Sequence, residues 1–203
     1  MMQKIKKAYI GVFDIIGRYW RDYGSWSALV FSPFFHIAIL FTIFLSHFWL
    51  EEAWWDVALS VLPNIIGFAL GGYAIWLGFG DEQFRRLISE REDNDETSPY
   101  LQVSAAFAHF IIVQLVALCS ALIAKATNFP LTADHWISNF LRSQDVTASY
   151  MHESIAPIFY GIGFLLFVYA LMTAVAATLA VFRVASWFDK YRNPPSSPQQ
   201  KQE

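Results

Sequence analysis

Four uncharged apolar stretches dominate the pattern of hydrophobic and polar positions along this chain. They cover residues 29–50, 57–80, 101–124 and 156–182, and none of them contains an Asp, Glu, Lys or Arg. An apolar helix of about 20 residues is long enough to cross the ~30 Å hydrocarbon core of a bilayer. The pattern therefore predicts an all-α integral membrane protein, with one domain of four transmembrane helices over residues 26–192.

Lys and Arg are distributed unevenly between the two sides that these spans define. Of the 14 basic residues, only Lys125 and Arg142 fall between the third and fourth spans, and the other twelve fall on the opposite side. Basic segments stay in the cytoplasm of bacterial cells, so we expect both termini on the cytoplasmic face of a bacterial inner membrane. Segment 81–98 then becomes a cytoplasmic arm, 125–155 an extracytoplasmic loop, and the Pro-, Ser- and Gln-rich segment 193–203 a disordered tail.

Residues 1–25 precede the first span and carry apolar side chains at helical spacing, with the charges elsewhere. This pattern predicts an amphipathic helix that lies in the membrane interface, with the lipid as its partner. Two roles fit such a helix: an anchor that orients the first span, or a sensor of lipid state and membrane deformation. The residues expected at the lipid interface are Lys4, Lys7, Arg18, Arg21 and Trp20.

The second span carries a stripe of small and weakly polar residues, spaced alternately by four and three positions. Such spacing places them on one face of a helix, where small side chains let another backbone approach closely. The stripe predicts tight helix packing within or between subunits, and thus a homo-oligomer, or else the lining of a pore. Its members, which we call the small-residue stripe, are Ser60, Asn64, Gly67, Gly71, Ala74 and Gly78.

The cytoplasmic arm begins with acidic and basic residues four positions apart, a spacing that supports a helix. Apolar residues occupy another side of the same short helix. We therefore expect it to dock a soluble cytoplasmic partner protein. The charged run that follows it is either a solvated linker or an acidic contact for a basic soluble partner. The predicted docking residues are Asp81, Glu82, Phe84, Arg85, Arg86, Leu87 and Ile88.

The sequence lacks the residue clusters that catalysis or metal binding needs. Its one cysteine, Cys119, lies inside the third span, and no carboxylate pair, nucleophile set or metal-ligand spacing is visible. His36 and His109, at similar depth in two spans, would ligate a haem if they faced each other; a hydrogen-bonded packing role for His109 is the alternative. We expect no enzyme activity, no cofactor, no metal site and no direct contact with nucleic acid.

Two classes of function remain for such a chain. The first is a homo-oligomeric scaffold and sensor subunit that recruits or controls a cytosolic effector; the second is a small homo-oligomeric ion channel or pore-forming effector. In size, four spans, cytoplasmic termini and absence of catalytic residues, the chain resembles the small four-helix membrane subunits of bacterial antiphage defence operons, such as that of the Kiwa system. The resemblance covers the architecture of the whole chain and assigns no site residues. It implies an inner-membrane assembly that detects phage attack and works with a cytosolic DNA-binding partner.

Overall fold

The computed structural model describes residues 2–90, 97–128 and 156–193, and within them the chain is helical, without strands. Most of the predicted extracytoplasmic loop (129–155), the end of the arm (91–96) and the predicted tail (194–203) lie outside the described residues. The helices, numbered here in chain order, are α1 Met2–Tyr23, α2 Ser25–Val30, α3 Pro33–Phe44, α4 Ser46–Glu51, α5 Trp54–Gly78, α6 Glu82–Ser89, α7 Pro99–Thr127 and α8 Ala156–Arg192.

Three of these helices, α5, α7 and α8, are long and apolar enough to cross a membrane. They coincide with the second, third and fourth predicted spans, and α7 and α8 run beyond the predicted ends. Ser98 starts α7 by accepting a hydrogen bond from the backbone N–H of Leu101, with Pro99 at the first helical position, where its missing N–H costs nothing. The chain is therefore an all-α membrane protein.

The first predicted span differs from the prediction, because residues 29–50 are divided among α2, α3 and α4. Pro33 begins α3, and the helix stops at Leu45, whose backbone leaves the helical conformation. The indole N–H of Trp49 donates to the carbonyl of Thr42 at 2.8 Å, one of the carbonyls left open where α3 ends. Alone, α3 is about 18 Å long, too short to cross a bilayer.

In the bundle, α7 lies between α5 and α8, and α8 packs in turn against α3 and α4. The contact of α5 with α7 includes a hydrogen bond of 3.0 Å from the indole N–H of Trp76 to the Ser104 hydroxyl. Gly163 of α8 permits close packing of Trp54, whose ring would lie 2.8 Å from a Cβ at that position. Aromatic rings thus pack against small residues in this core, alongside aliphatic side chains such as Leu62 and Val168.

Candidate functional site

The end of α1 is joined to the bundle at His109, which is only 5% exposed on α7. A hydrogen bond of 2.7 Å connects the Tyr19 hydroxyl to Nδ1 of His109. Another, of 2.9 Å, connects Nε2 to the hydroxyl of Tyr169 on α8. Tyr23 stacks on the imidazole. We call these four residues the His109 cluster; it links α1, α7 and α8 at one point.

The chemistry of the His109 cluster is that of neutral hydrogen bonding. A neutral imidazole has one donor and one acceptor nitrogen, and a phenol hydroxyl can serve either. Burial raises the pKa of Tyr19 to about 12, and the neighbouring Tyr23 adds to this increase. Burial likewise raises the pKa of Tyr23. Tyr19 and Tyr23 therefore stay protonated at physiological pH and remain able to donate hydrogen bonds.

The haem hypothesis is not supported by this geometry. Both ring nitrogens of His109 are engaged by tyrosine hydroxyls, while His36 is exposed on α3. Two histidines must meet across a haem iron to ligate it, and the structure does not bring this pair together. Within the described residues, no three His, Cys, Asp or Glu side chains form a group able to hold a metal ion. His109 is a packing histidine that joins three helices.

The sequence does not identify Tyr19, Tyr23 and Tyr169 as the partners of His109. Two signals were available. Tyr19 and Tyr23 are four positions apart, so they share one face of a helix. Tyr169 places a hydroxyl in the middle of an apolar span, where a polar group requires a hydrogen-bond partner. Neither signal, however, indicates which helix supplies the partner.

Residues 2–18 of α1 are exposed throughout, so the apolar side chains of this part of the helix are uncovered. Tyr9 is 63% exposed and Phe13 67%, and both lie on the same face as Tyr19 and Tyr23. Of the predicted lipid-interface residues, Lys4, Lys7, Arg18 and Arg21 are exposed. Trp20 is half-buried and packs edge-on against Trp26 at 5.0 Å.

The small-residue stripe lies on the outer surface of the bundle. All six members are exposed, and no atom lies within 4 Å of a Cβ built at Gly67, Gly71 or Gly78. One form of the prediction placed the stripe in helix packing within the chain. The exposure of all six residues contradicts that form. Asn64 donates from Nδ2 to the Ser60 carbonyl on its own helix at 3.0 Å. This bond uses the amide nitrogen of Asn64 and leaves the side-chain oxygen of Asn64 without a partner on α5.

The predicted docking arm is partly used inside the chain. Phe84 and Ile88 are buried in an apolar cluster with Val184 and aromatic residues of α8, so they do not present a docking surface. Asp81 caps α6 by accepting from the N–H of Phe84 at 2.8 Å and lies 3.8 Å from Arg192. The exposed members of the predicted set are Asp81, Glu82, Arg85, Arg86 and Leu87.

Next to the His109 cluster, a cavity of about 270 Å³ lies between α7 and α8, and Ser32 and Phe34 at the start of α3 also line it. Tyr23 and Tyr169 line it together with Phe110, and Gln102, Arg183 and Trp187 line it closer to the ends of these helices that lie beside α6. The cavity thus joins the His109 cluster to the charged end of the bundle.

Comparison of the chain with protein-family models, with curated proteins and with solved structures gives no match. The assignment of function therefore depends on the geometry of the chain itself.

Proposed function

We propose that the protein is a homo-oligomeric inner-membrane scaffold and sensor subunit that recruits or controls a cytosolic effector. The observation that carries this proposal is the exposure of the small-residue stripe on α5. A membrane helix that presents glycines and an asparagine on its outer surface is suited to contact with another copy of itself.

The position of Asn64 strengthens the argument for an oligomer. It lies ten residues after the start of α5, about 15 Å along the helix axis and hence near the middle of the bilayer. An amide exposed to hydrocarbon is unfavourable, and a hydrogen bond to a neighbouring helix relieves this cost. Gly67 and Gly71, one and two turns further along, allow the two backbones to approach closely enough for that bond.

The sensor role depends on α1. Its exposed apolar face matches that of a helix lying in the headgroup layer, and its lysines and arginines favour an anionic leaflet. Because Tyr19 and Tyr23 attach the end of α1 to His109, a change in the depth or tilt of α1 acts directly on the contact between α7 and α8. This connection gives a lipid perturbation a path into the bundle.

The effector would bind on the cytoplasmic side. Exposed Arg85, Arg86 and Leu87 of α6 form a small mixed surface, with α6 itself held firmly by Phe84 and Ile88. Charged residues at the edge of an interface set its specificity more than its affinity. The resemblance to antiphage membrane subunits makes phage defence the setting that we propose for this recruitment.

The oligomer is tested by replacing Gly67 and Gly71 together with leucine. The added side chains would occupy the space of the neighbouring helix, so we expect the particle mass in lipid nanodiscs to fall to that of a monomer. Cys119→Leu is the matched control, because Cys119 is a small exposed residue on α7. An unchanged mass in the double variant would reject the stripe as the subunit contact.

A second function, an ion channel, is favoured by the same stripe if its exposed face borders water in a ring of subunits. A narrow uncharged pore is controlled by its width and wetting, so Asn64→Leu would alter ion flux through liposomes containing only this protein.

For the scaffold, Arg85→Glu with Arg86→Glu should release a cytosolic protein that copurifies from the native host, whereas Lys190→Glu should not. Flux from the isolated protein without a copurifying partner would reject the scaffold.

A further inference from the structure

We propose that the cavity between α7 and α8 binds one anionic phospholipid of the cytoplasmic leaflet. The proposal deepens the sensor function and rests on the cytoplasmic placement of the α8 C-terminus. In this site an acyl chain fills the cavity and the lipid phosphate contacts Arg183.

The walls of the cavity suit a hydrocarbon chain. Small side chains of two helices, including Ala106, Ala176 and Ala180, leave the space open, and the ring of Phe110 lies against it. A volume of about 270 Å³ lies just below the usual range for small-molecule sites, roughly 300 to 1,000 Å³. It accommodates a segment of one chain, with the remainder of the lipid in the bilayer.

The charged end of the cavity suits a phosphate. Arg183 is the first charged residue after the uncharged segment 156–182, so it stands at headgroup level when that segment spans the bilayer. Gln102 of α7 and Trp187, one turn beyond Arg183, line the same region. A guanidinium can form two parallel hydrogen bonds with a phosphate group, and tryptophan favours the interface.

Charge complementarity selects an anionic lipid. In the part of the chain that the structure describes, no carboxylate lies within ion-pair distance of Arg183, whereas Arg192 on the same helix is paired with Asp81 at 3.8 Å. A headgroup with net negative charge neutralises Arg183, while a zwitterionic headgroup brings its own cation. The bound acyl chain would also contact Tyr23 and Tyr169, so the lipid would stabilise the attachment of α1 to His109.

The test uses native mass spectrometry of the full-length protein, released from nanodiscs with equal amounts of phosphatidylglycerol and phosphatidylcholine. We expect one phosphatidylglycerol per chain to be retained. Arg183→Gln should reduce this retention about tenfold, the scale of one charge-assisted contact, whereas Lys190→Gln, the same charge change on the same helix, should leave it intact. Added inorganic phosphate should not displace the lipid.

A second pair of variants tests the part of the cavity that binds the acyl chain. Ala176→Phe should fill the cavity and abolish retention, and Val175→Phe, on the exposed face of α8, should have no effect. Equal retention of both lipids by wild type, or retention unchanged in both Arg183→Gln and Ala176→Phe, would overturn the proposal. Displacement by inorganic phosphate would reassign the site to a free anion. A monomeric chain that still retains phosphatidylglycerol would reject the scaffold and leave this site standing.

Discussion

The ring of Tyr23 lies flat against the ring of His109, with the ring centroids 3.8 Å apart and the planes inclined by 14°. Together with the hydrogen bond between Tyr19 and Nδ1 of His109, this contact makes α1 part of the bundle at one end, whereas residues 2–18 are exposed, as in a helix that lies on a membrane. Since Tyr19 and Tyr23 lie on the same apolar face as Tyr9 and Phe13, one face serves both the protein contact and the proposed lipid contact.

The hydrogen bonds of the His109 cluster predict a measurable stability contribution. Tyr19→Phe removes the hydroxyl that bonds Nδ1, and Tyr169→Phe the one that bonds Nε2. Each should lower the free energy of unfolding by about 1 to 2 kcal/mol, because a buried partner is left unpaired. Thermal unfolding in detergent measures the effect. Tyr9→Phe, at an exposed position, is the control; equal stability of all three variants would show that these bonds do not support the bundle.

A second prediction concerns Gly24, which ends α1 with a left-handed backbone (φ 105°). A Cβ there would lie 2.8 Å from the Cβ of Ala28, and the conformation itself disfavours any L side chain by about 1 kcal/mol or more. Gly24→Ala should therefore detach Tyr23 from His109. We expect hydrogen exchange of α1 to become at least about fivefold faster.

Gly17→Ala provides the control for Gly24→Ala. Gly17 lies inside α1, and no atom lies within 4 Å of a Cβ at that position. Alanine is favoured over glycine in a helix by about 1 kcal/mol, so this variant should slow exchange of α1. Faster exchange in both variants would show that the glycine-to-alanine change, rather than the turn, disturbs the helix.

The main architecture could be predicted because long uncharged apolar runs have few alternatives in a bilayer. Helices α5, α7 and α8 follow from such runs. The division of the first span at Leu45 could not be predicted, because neither proline nor glycine stands there. It depends on a tertiary contact network in which Trp49 turns back to the Thr42 carbonyl and packs against Gly161, whose Cβ position lies 3.1 Å from its ring.

Less of the candidate site could be predicted from the sequence. The surface position of the small-residue stripe depends on which face of α5 packs against α7, and periodicity does not specify that face. The partial burial of α6 has a similar cause: Phe84 and Ile88 form an apolar strip, but whether the strip is covered depends on the packing of α7 and α8 against it. Pairing of His109 with tyrosines, rather than with His36, likewise depends on the docking of α1.

The raised pKa of Tyr19 predicts a loss of stability at high pH. Its pKa is about 12 in the folded chain, against about 10 for an unperturbed tyrosine. As the pH rises from 10 towards 12, the unfolded chain loses this proton first, so the folded state becomes less stable over that interval. The difference in phenolate absorbance between wild type and Tyr19→Phe should titrate near 12; a midpoint near 10 would contradict burial of Tyr19.

A further prediction is that the protein becomes more stable when the side-chain amide of Gln114 is removed. Gln114 is fully buried in α7, and neither its amide nitrogen nor its amide oxygen has a hydrogen-bond partner among the described residues. Gln114→Leu replaces an unsatisfied amide with an apolar group of similar size and should raise the free energy of unfolding by about 1 to 3 kcal/mol. A lower melting temperature would instead indicate a bound water or ion on the amide.

The last prediction concerns the side of the membrane on which α1 lies. Residues 33–51 extend about 28 Å as two helical pieces, close to the ~30 Å that a crossing requires. If they cross, the basic α1 is cytoplasmic; if they do not, residues 1 and 53 share one side. We expect reporter fusions to place residues 1, 90 and 195 inside and residues 53 and 140 outside, because the basic residues of α1 resist translocation. As an independent measurement, single cysteines Gln3→Cys and Ala53→Cys in a Cys119→Ala background should be labelled from opposite sides by an impermeant maleimide. Labelling of both from the same side would reduce the protein to three spans, and labelling of both from outside would place α1 away from the cytoplasmic leaflet.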